Sequence, residues 1–204
     1  MTLKISSPAG ELEASYHNPT QAQNAALLCH PHPSYGGNMH DGVLAVTAAA
    51  LESAKPAGSW AHLRFNFRGV GGSSGTFDDG NGEQDDLVTA WEWLRAQNEW
   101  QSLTLIGYSF GSAMAWSARL RCTGLSRLVL IAPPTAAMPF SSDESDAQSP
   151  LATHIVVGDR DDYCDLAALP ANSSSQVLPG ADHFFSASVD LLSSAIGNTL
   201  SPVT

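Results

Sequence analysis

The five residues Gly107-Tyr108-Ser109-Phe110-Gly111 set a serine between two glycines. The apolar run Leu103-Thr104-Leu105-Ile106 precedes them, and Ser112–Leu120, rich in alanine and other small residues, follows. A strand, a tight turn and a helix in that order lift a serine hydroxyl clear of both elements, where it can attack an acyl carbon. Such a turn demands a strained serine backbone, and the flanking glycines relieve the crowding. The N–H of Phe110, at the start of the helix, points into the same space as a donor to an oxyanion. A serine hydroxyl at its ordinary pKa is a weak nucleophile, so a base, an acid and a second oxyanion donor are required elsewhere. On this framework the chain order is serine, then acid, then histidine.

His183, in Gly180-Ala181-Asp182-His183-Phe184-Phe185, is the expected base. It lies between the last predicted strand and the last predicted helix, at the sheet edge where the serine turn also sits. The acid is expected in Gly158-Asp159-Arg160-Asp161-Asp162. Asp161 is the first choice, because the turn after Gly158 brings it back over the strand end; Asp159 is the reserve. Asp162 suits a helix cap, and Asp182 a structural role. The second oxyanion donor is expected in His30-Pro31-His32-Pro33. Proline has no N–H, and His32 lies at the better distance from the strand end, so its backbone N–H takes this role. A metal held by His30 and His32 lacks a third ligand at suitable spacing, and no metal or other cofactor is expected. Tyr35, Tyr108, Met138 and Phe140 are candidate pocket residues. The glycine loop Gly69–Gly75 has neither a Lys-Ser/Thr ending nor dinucleotide spacing, and reads as a tight turn under the site. Arg68 is expected to tie the acidic stretch Phe77–Asp86 down.

The elements that must hold these residues alternate. Leu3–Ser7 and Leu12–Tyr16 form an antiparallel edge hairpin, and Asn18–Gln23 a surface turn. Strands follow at Ala25–Cys29, Ala61–Phe67, Leu103–Ile106, Leu125–Ala132, His154–Val157 (stopped by Gly158) and Ser175–Leu178. Helices are expected at Met39–Lys55, Asp85–Asn98, Ser112–Leu120 and Ser188–Leu200, with a short helix or turn at Asp161–Leu169. Leu87, Trp91 and Leu94 mark one face of the second helix. Strand and helix alternation predicts an α/β fold: a mainly parallel sheet with helices on both faces. Thr135–Pro150 is too short for a helical cap and reads as a mobile loop beside the site.

With 204 residues, 43% of them hydrophobic and 14% charged, the chain suits one globular domain over residues 1–204. A formal net charge of -11 disfavours nucleic acid and an anionic membrane surface as partners. Three scattered cysteines, Cys29, Cys122 and Cys164, fit a reducing compartment. No signal peptide or membrane span is evident, so a cytoplasmic protein is expected, of undetermined oligomeric state.

Five motifs together resemble the small α/β-hydrolase-fold serine hydrolases, close to the dienelactone-hydrolase-like group. They are HPHPSYGGNMHDG at 30–42, FNFRGVGGSSGTFDDGNGEQDD at 65–86, GYSFGS at 107–112, GDRDD at 158–162 and GADHFF at 180–185. The resemblance implies a minimal α/β-hydrolase fold with Ser109 as nucleophile, Asp161 as acid and His183 as base. The chain carries serine where dienelactone hydrolases carry cysteine, and it has almost no cap. The expected activity is esterase-like hydrolysis of small ester or acyl compounds through an acyl-enzyme, without a cofactor. A thioesterase or peptidase of the same fold, or a non-catalytic binding module, is the alternative.

Overall fold

The computed structural model describes residues 2–56, 59–140 and 151–200. Among them, one sheet is built from β1 (Thr2–Ser7), β2 (Gly10–His17), β3 (Asn24–Cys29), β4 (Trp60–Phe65), β5 (Ser102–Tyr108), β6 (Arg127–Ile131), β7 (Ala152–Arg160) and β8 (Ser174–Asp182). The strands lie in the order β1-β2-β4-β3-β5-β6-β7-β8. β2 runs antiparallel to β1 and β4, and every other neighbouring pair is parallel. The helices are α1 (Gly42–Ser53), α2 (Asn81–Arg95), α3 (Phe110–Ala118) and α4 (Val189–Thr199). The α/β sheet expected from the alternation of elements, with its antiparallel hairpin at one edge, is therefore present. No described helix is long and apolar enough to cross a membrane.

Helices cover both faces, and this explains the unbroken apolar runs of the central strands. Successive side chains of a strand point to opposite faces. Ala25 and Leu27 of β3 enter one core with Leu87, Trp91 and Leu94 of α2 and Met114 of α3. Ala26 and Leu28 enter the other, with Leu44 and Leu51 of α1 and Leu192 and Ile196 of α4.

Several element boundaries differ from those expected, and local chemistry accounts for three of them. α1 starts at Gly42, not Met39, because the Asp41 carboxylate accepts from the Val43 N–H (2.8 Å) as its cap. Met39 is drawn into the core, its N–H donating to Asn66 Oδ1 (2.8 Å). α2 starts at Asn81, ahead of Asp85, because the buried Glu83 carboxylate turns back onto the N–H groups of Asp78 and Gly80 (both 2.9 Å). Nor does β7 stop at Gly158: it continues to Arg160. At Gly158 a Cβ would collide with the backbone of Ala181, so glycine permits a close approach to β8.

The glycine loop packs along the hairpin, not under Ser109. Ser74 N–H donates to Glu11 O (2.7 Å), and Ser73 Oγ accepts from Glu13 N–H (2.9 Å). Arg68 ties this loop to α2. The Asp86 carboxylate accepts from the Arg68 backbone N–H (2.9 Å), Nε (2.9 Å) and Nη2 (2.8 Å). Asp86 is fully buried, and Gly82 leaves the room the guanidinium occupies. Removing one member of such a pair leaves a charge without its partner. Asp86→Ala is expected to lower unfolding stability by about 3 kcal/mol in urea titrations; an unchanged midpoint would contradict the assigned role.

Candidate functional site

Ser109 occupies the turn between β5 and α3 with φ 51° and ψ −118°, a conformation that side-chain-bearing residues rarely adopt. Three donors hold its carbonyl: Ser112 Oγ (2.6 Å), Ser112 N–H (2.9 Å) and Ala113 N–H (3.2 Å). Its own N–H donates to Ile131 O in β6 (2.9 Å). Both flanking glycines are required by packing. A Cβ at Gly107 would strike the Gly111 carbonyl, and one at Gly111 would strike the carbonyls of Cys29 and His30 at the end of β3.

The close approach of β7 and β8 brings the other groups in. The Asp159 carboxylate accepts from Gly180 N–H (2.7 Å), clamping the two strand ends together. Just beyond, Asp161 folds inward and its side chain is completely buried. His183 Nδ1 lies 2.9 Å from each Asp161 oxygen, and His183 Nε2 lies 3.0 Å from Ser109 Oγ. A second donor, Tyr163 N–H, reaches Asp161 Oδ1 (2.9 Å). Asp161, not Asp159, therefore stands next to His183. Asp182 turns away, accepting from Phe184 N–H (3.1 Å). Asp162 is exposed, and the helical turn Leu166–Ala168 is capped by Asp165 instead.

On the other side of Ser109 lies the His30–Asn38 loop. His32 has its backbone N–H without a partner among the described residues. The Phe110 N–H, first in α3, has no intrahelical acceptor. The two residues touch, with ring centroids 5.0 Å apart, and Phe77 and Tyr35 complete an aromatic wall around His32 at 5.1 and 4.8 Å. His32 and His30 do not form a joint ligand set. His30 is fully buried, its Nδ1 2.7 Å from Pro31 O and its Nε2 accepting from Phe67 N–H (3.1 Å), so both ring nitrogens are engaged. It bolts the loop to the end of β4.

The four candidate pocket residues part company. Tyr35 is almost wholly exposed beside His32. Tyr108 is buried in the α1/α4 core: its hydroxyl donates to His183 O (3.1 Å), and burial pushes its pKa up. Phe140 stacks on Trp116 of α3 (5.0 Å between centroids), and Met138 packs on the same layer. The rest of the expected mobile loop, residues 141–150, lies outside the described residues. Two rings beside His183 escaped the sequence reading: Tyr163 at 4.6 Å and Phe184 at 5.3 Å, both at least half exposed. The signal was present, since Tyr163 directly follows GDRDD and Phe184 lies within GADHFF.

With this geometry in view, residues 32–154 match the protein family described as the alpha/beta hydrolase fold. An uncharacterized protein of Rickettsia prowazekii is 35% identical over 208 residues, covering 95% of this chain and 85% of that protein. A Xanthomonas campestris serine hydrolase structure without a lid superposes with a TM-score of 0.87 at 32% identity, covering 100% of this chain and 96% of that one. A serine hydrolase homologue from Coxiella burnetii gives 0.83 at 28% identity, covering 98% and 97%.

Burial lowers the pKa of His30 from 6.5 to about 4. The folded chain keeps this ring neutral while the unfolded chain protonates it near 6.5. Between those values the unfolded state binds more protons, so stability falls as pH drops from about 6.5 to about 4. The contribution at stake is about 3 kcal/mol. His30→Gln is expected to be less stable at neutral pH yet to lose less on acidification; parallel stability curves for the two proteins would contradict this.

Proposed function

The chain belongs to the α/β-hydrolase family, and from that premise we propose a serine hydrolase that cleaves small ester or acyl substrates through a covalent acyl-enzyme. The observation that carries the reading is the continuous hydrogen-bonded line from Ser109 Oγ through the His183 ring to the Asp161 carboxylate. In the proposed reaction, Ser109 Oγ bonds to the acyl carbon as its proton passes to His183 Nε2. Asp161 holds the imidazole in the tautomer with a proton on Nδ1 and stabilises the imidazolium that forms. The N–H groups of Phe110 and His32 receive the oxyanion. Collapse expels the alcohol oxygen, which takes the proton from His183. Water then attacks the acyl-enzyme, losing a proton to His183; collapse breaks the Oγ–acyl bond, Ser109 Oγ takes that proton back from His183, and the acid leaves.

The exposed rings of Tyr35, Tyr163 and Phe184 give apolar surface beside the reacting groups, suited to short acyl or aryl portions. The narrower kinship with the dienelactone-hydrolase-like group belongs to the same proposal. So does a cytoplasmic location, supported by three free cysteines.

The two aspartates separate the roles. Asp161→Asn is expected to reduce kcat on p-nitrophenyl acetate by about 10⁴-fold, because the amide favours the wrong imidazole tautomer. Asp159→Asn, altering only the strand clamp, is expected to keep most of the parent rate. Equal rates for the parent and Asp161→Asn would refute the mechanism.

A further inference from the structure

Far from Ser109, at the other end of α1, three potential ligands converge. His17 ends β2 and stands directly opposite His62 in the antiparallel register with β4. Their rings stack at 4.9 Å with planes 13° apart. Glu52, in the last turn of α1, reaches the same place, its Oε1 lying 3.0 Å from His62 Nε2. One ligand atom from each of the three residues lies within 4.8 Å of the others.

The side chains of His62 and Arg64 share the α1 face of β4, since Ala61, Leu63 and Phe65 fill the opposite core. A buried imidazole normally has both nitrogens engaged, as His30 has. His62 is 2% exposed, yet its Nδ1 has no hydrogen-bond partner among the described residues. His17 and Glu52 are exposed, so both can reorient toward a shared ion. Neither histidine serves the site at Ser109.

We propose that His17, His62 and Glu52 form a binding site for a first-row divalent cation, with zinc as the best-suited ion. Two imidazoles and one carboxylate, with solvent at a fourth position, are a donor set zinc accepts. Ligand atoms about 2 Å from a common ion lie about 3.4 Å apart in a tetrahedron. The His17 and His62 rings are nearly parallel, so their in-plane lone pairs do not converge as they stand; the exposed His17 must turn its ring out of the stack, and Glu52 swing with it, to bring the ligand atoms to that spacing around His62. Arg64 repels a cation here, and the Glu52 carboxylate offsets it. The ion would join β2 and β4 to the end of α1 and stabilise the folded chain without entering the chemistry at Ser109.

The test is calorimetric titration of zinc chloride into the untagged, metal-stripped chain at neutral pH, with thermal unfolding in parallel. One zinc per chain and an upward shift of the unfolding midpoint are expected. His17→Ala and Glu52→Gln change exposed residues, and each is expected to weaken binding by about tenfold or more and to cancel the shift. Cobalt(II) added to the parent is expected to show visible ligand-field bands that both variants lose. Absence of stoichiometric zinc binding, or variants that bind zinc as the parent does, would overturn the site.

Discussion

Everything at the candidate site depends on the strained backbone of Ser109. The residue sits at φ 51° and ψ −118°, a conformation that costs of order 1–3 kcal/mol and persists only where its surroundings over-determine it. The surroundings do so here. Three hydrogen bonds fix its carbonyl, β6 takes its N–H, and two glycines let α3 press onto the ends of β5 and β3. The strain points Oγ outward and leaves the first N–H of α3 free of an intrahelical partner. The same bend therefore presents the hydroxyl and, in the proposed mechanism, one of the groups that receives the oxyanion.

A second constraint answers the first from across the sheet. Gly158 allows β7 and β8 to approach closely, Asp159 clamps them, and Asp161 then folds under His183. Tyr108, next to Ser109 in sequence, holds the His183 carbonyl with its hydroxyl. The serine turn and the histidine loop are thus tied through the core as well as through the Oγ–Nε2 contact. A buried carboxylate is tolerated there because it accepts from both the imidazole and the Tyr163 N–H.

Much of this was legible in the residues. Strands covered on both faces are apolar throughout, so β3, β5 and β6 stood out as short runs; the G-x-S-x-G turn and the order of serine, aspartate and histidine pointed to three residues that the fold brings together. The chain failed to announce features that depend on side-chain reach. Glu83 reads as one more acid in a polar stretch, yet it caps α2 and moves the helix start upstream. Gly158 reads as a stop, but its consequence is an inter-strand approach visible only once Ala181 lies alongside. Tyr108 adjoins the serine, but only the strand alternation seen in the fold shows that its ring enters the core. The stacking of His17 on His62 arises from a register between strands 45 positions apart in sequence, which no local pattern reveals.

The central claim is that Ser109 is an activated nucleophile, and the most direct measurement is intact mass after exposure to a fluorophosphonate. Attack by Oγ on phosphorus expels fluoride and leaves a stable phosphonyl ester. The account predicts one adduct per chain, mapping to the peptide that contains Ser109 and absent from Ser109→Ala. Folded parent protein that stays unlabelled, or a variant that labels equally well, would contradict it.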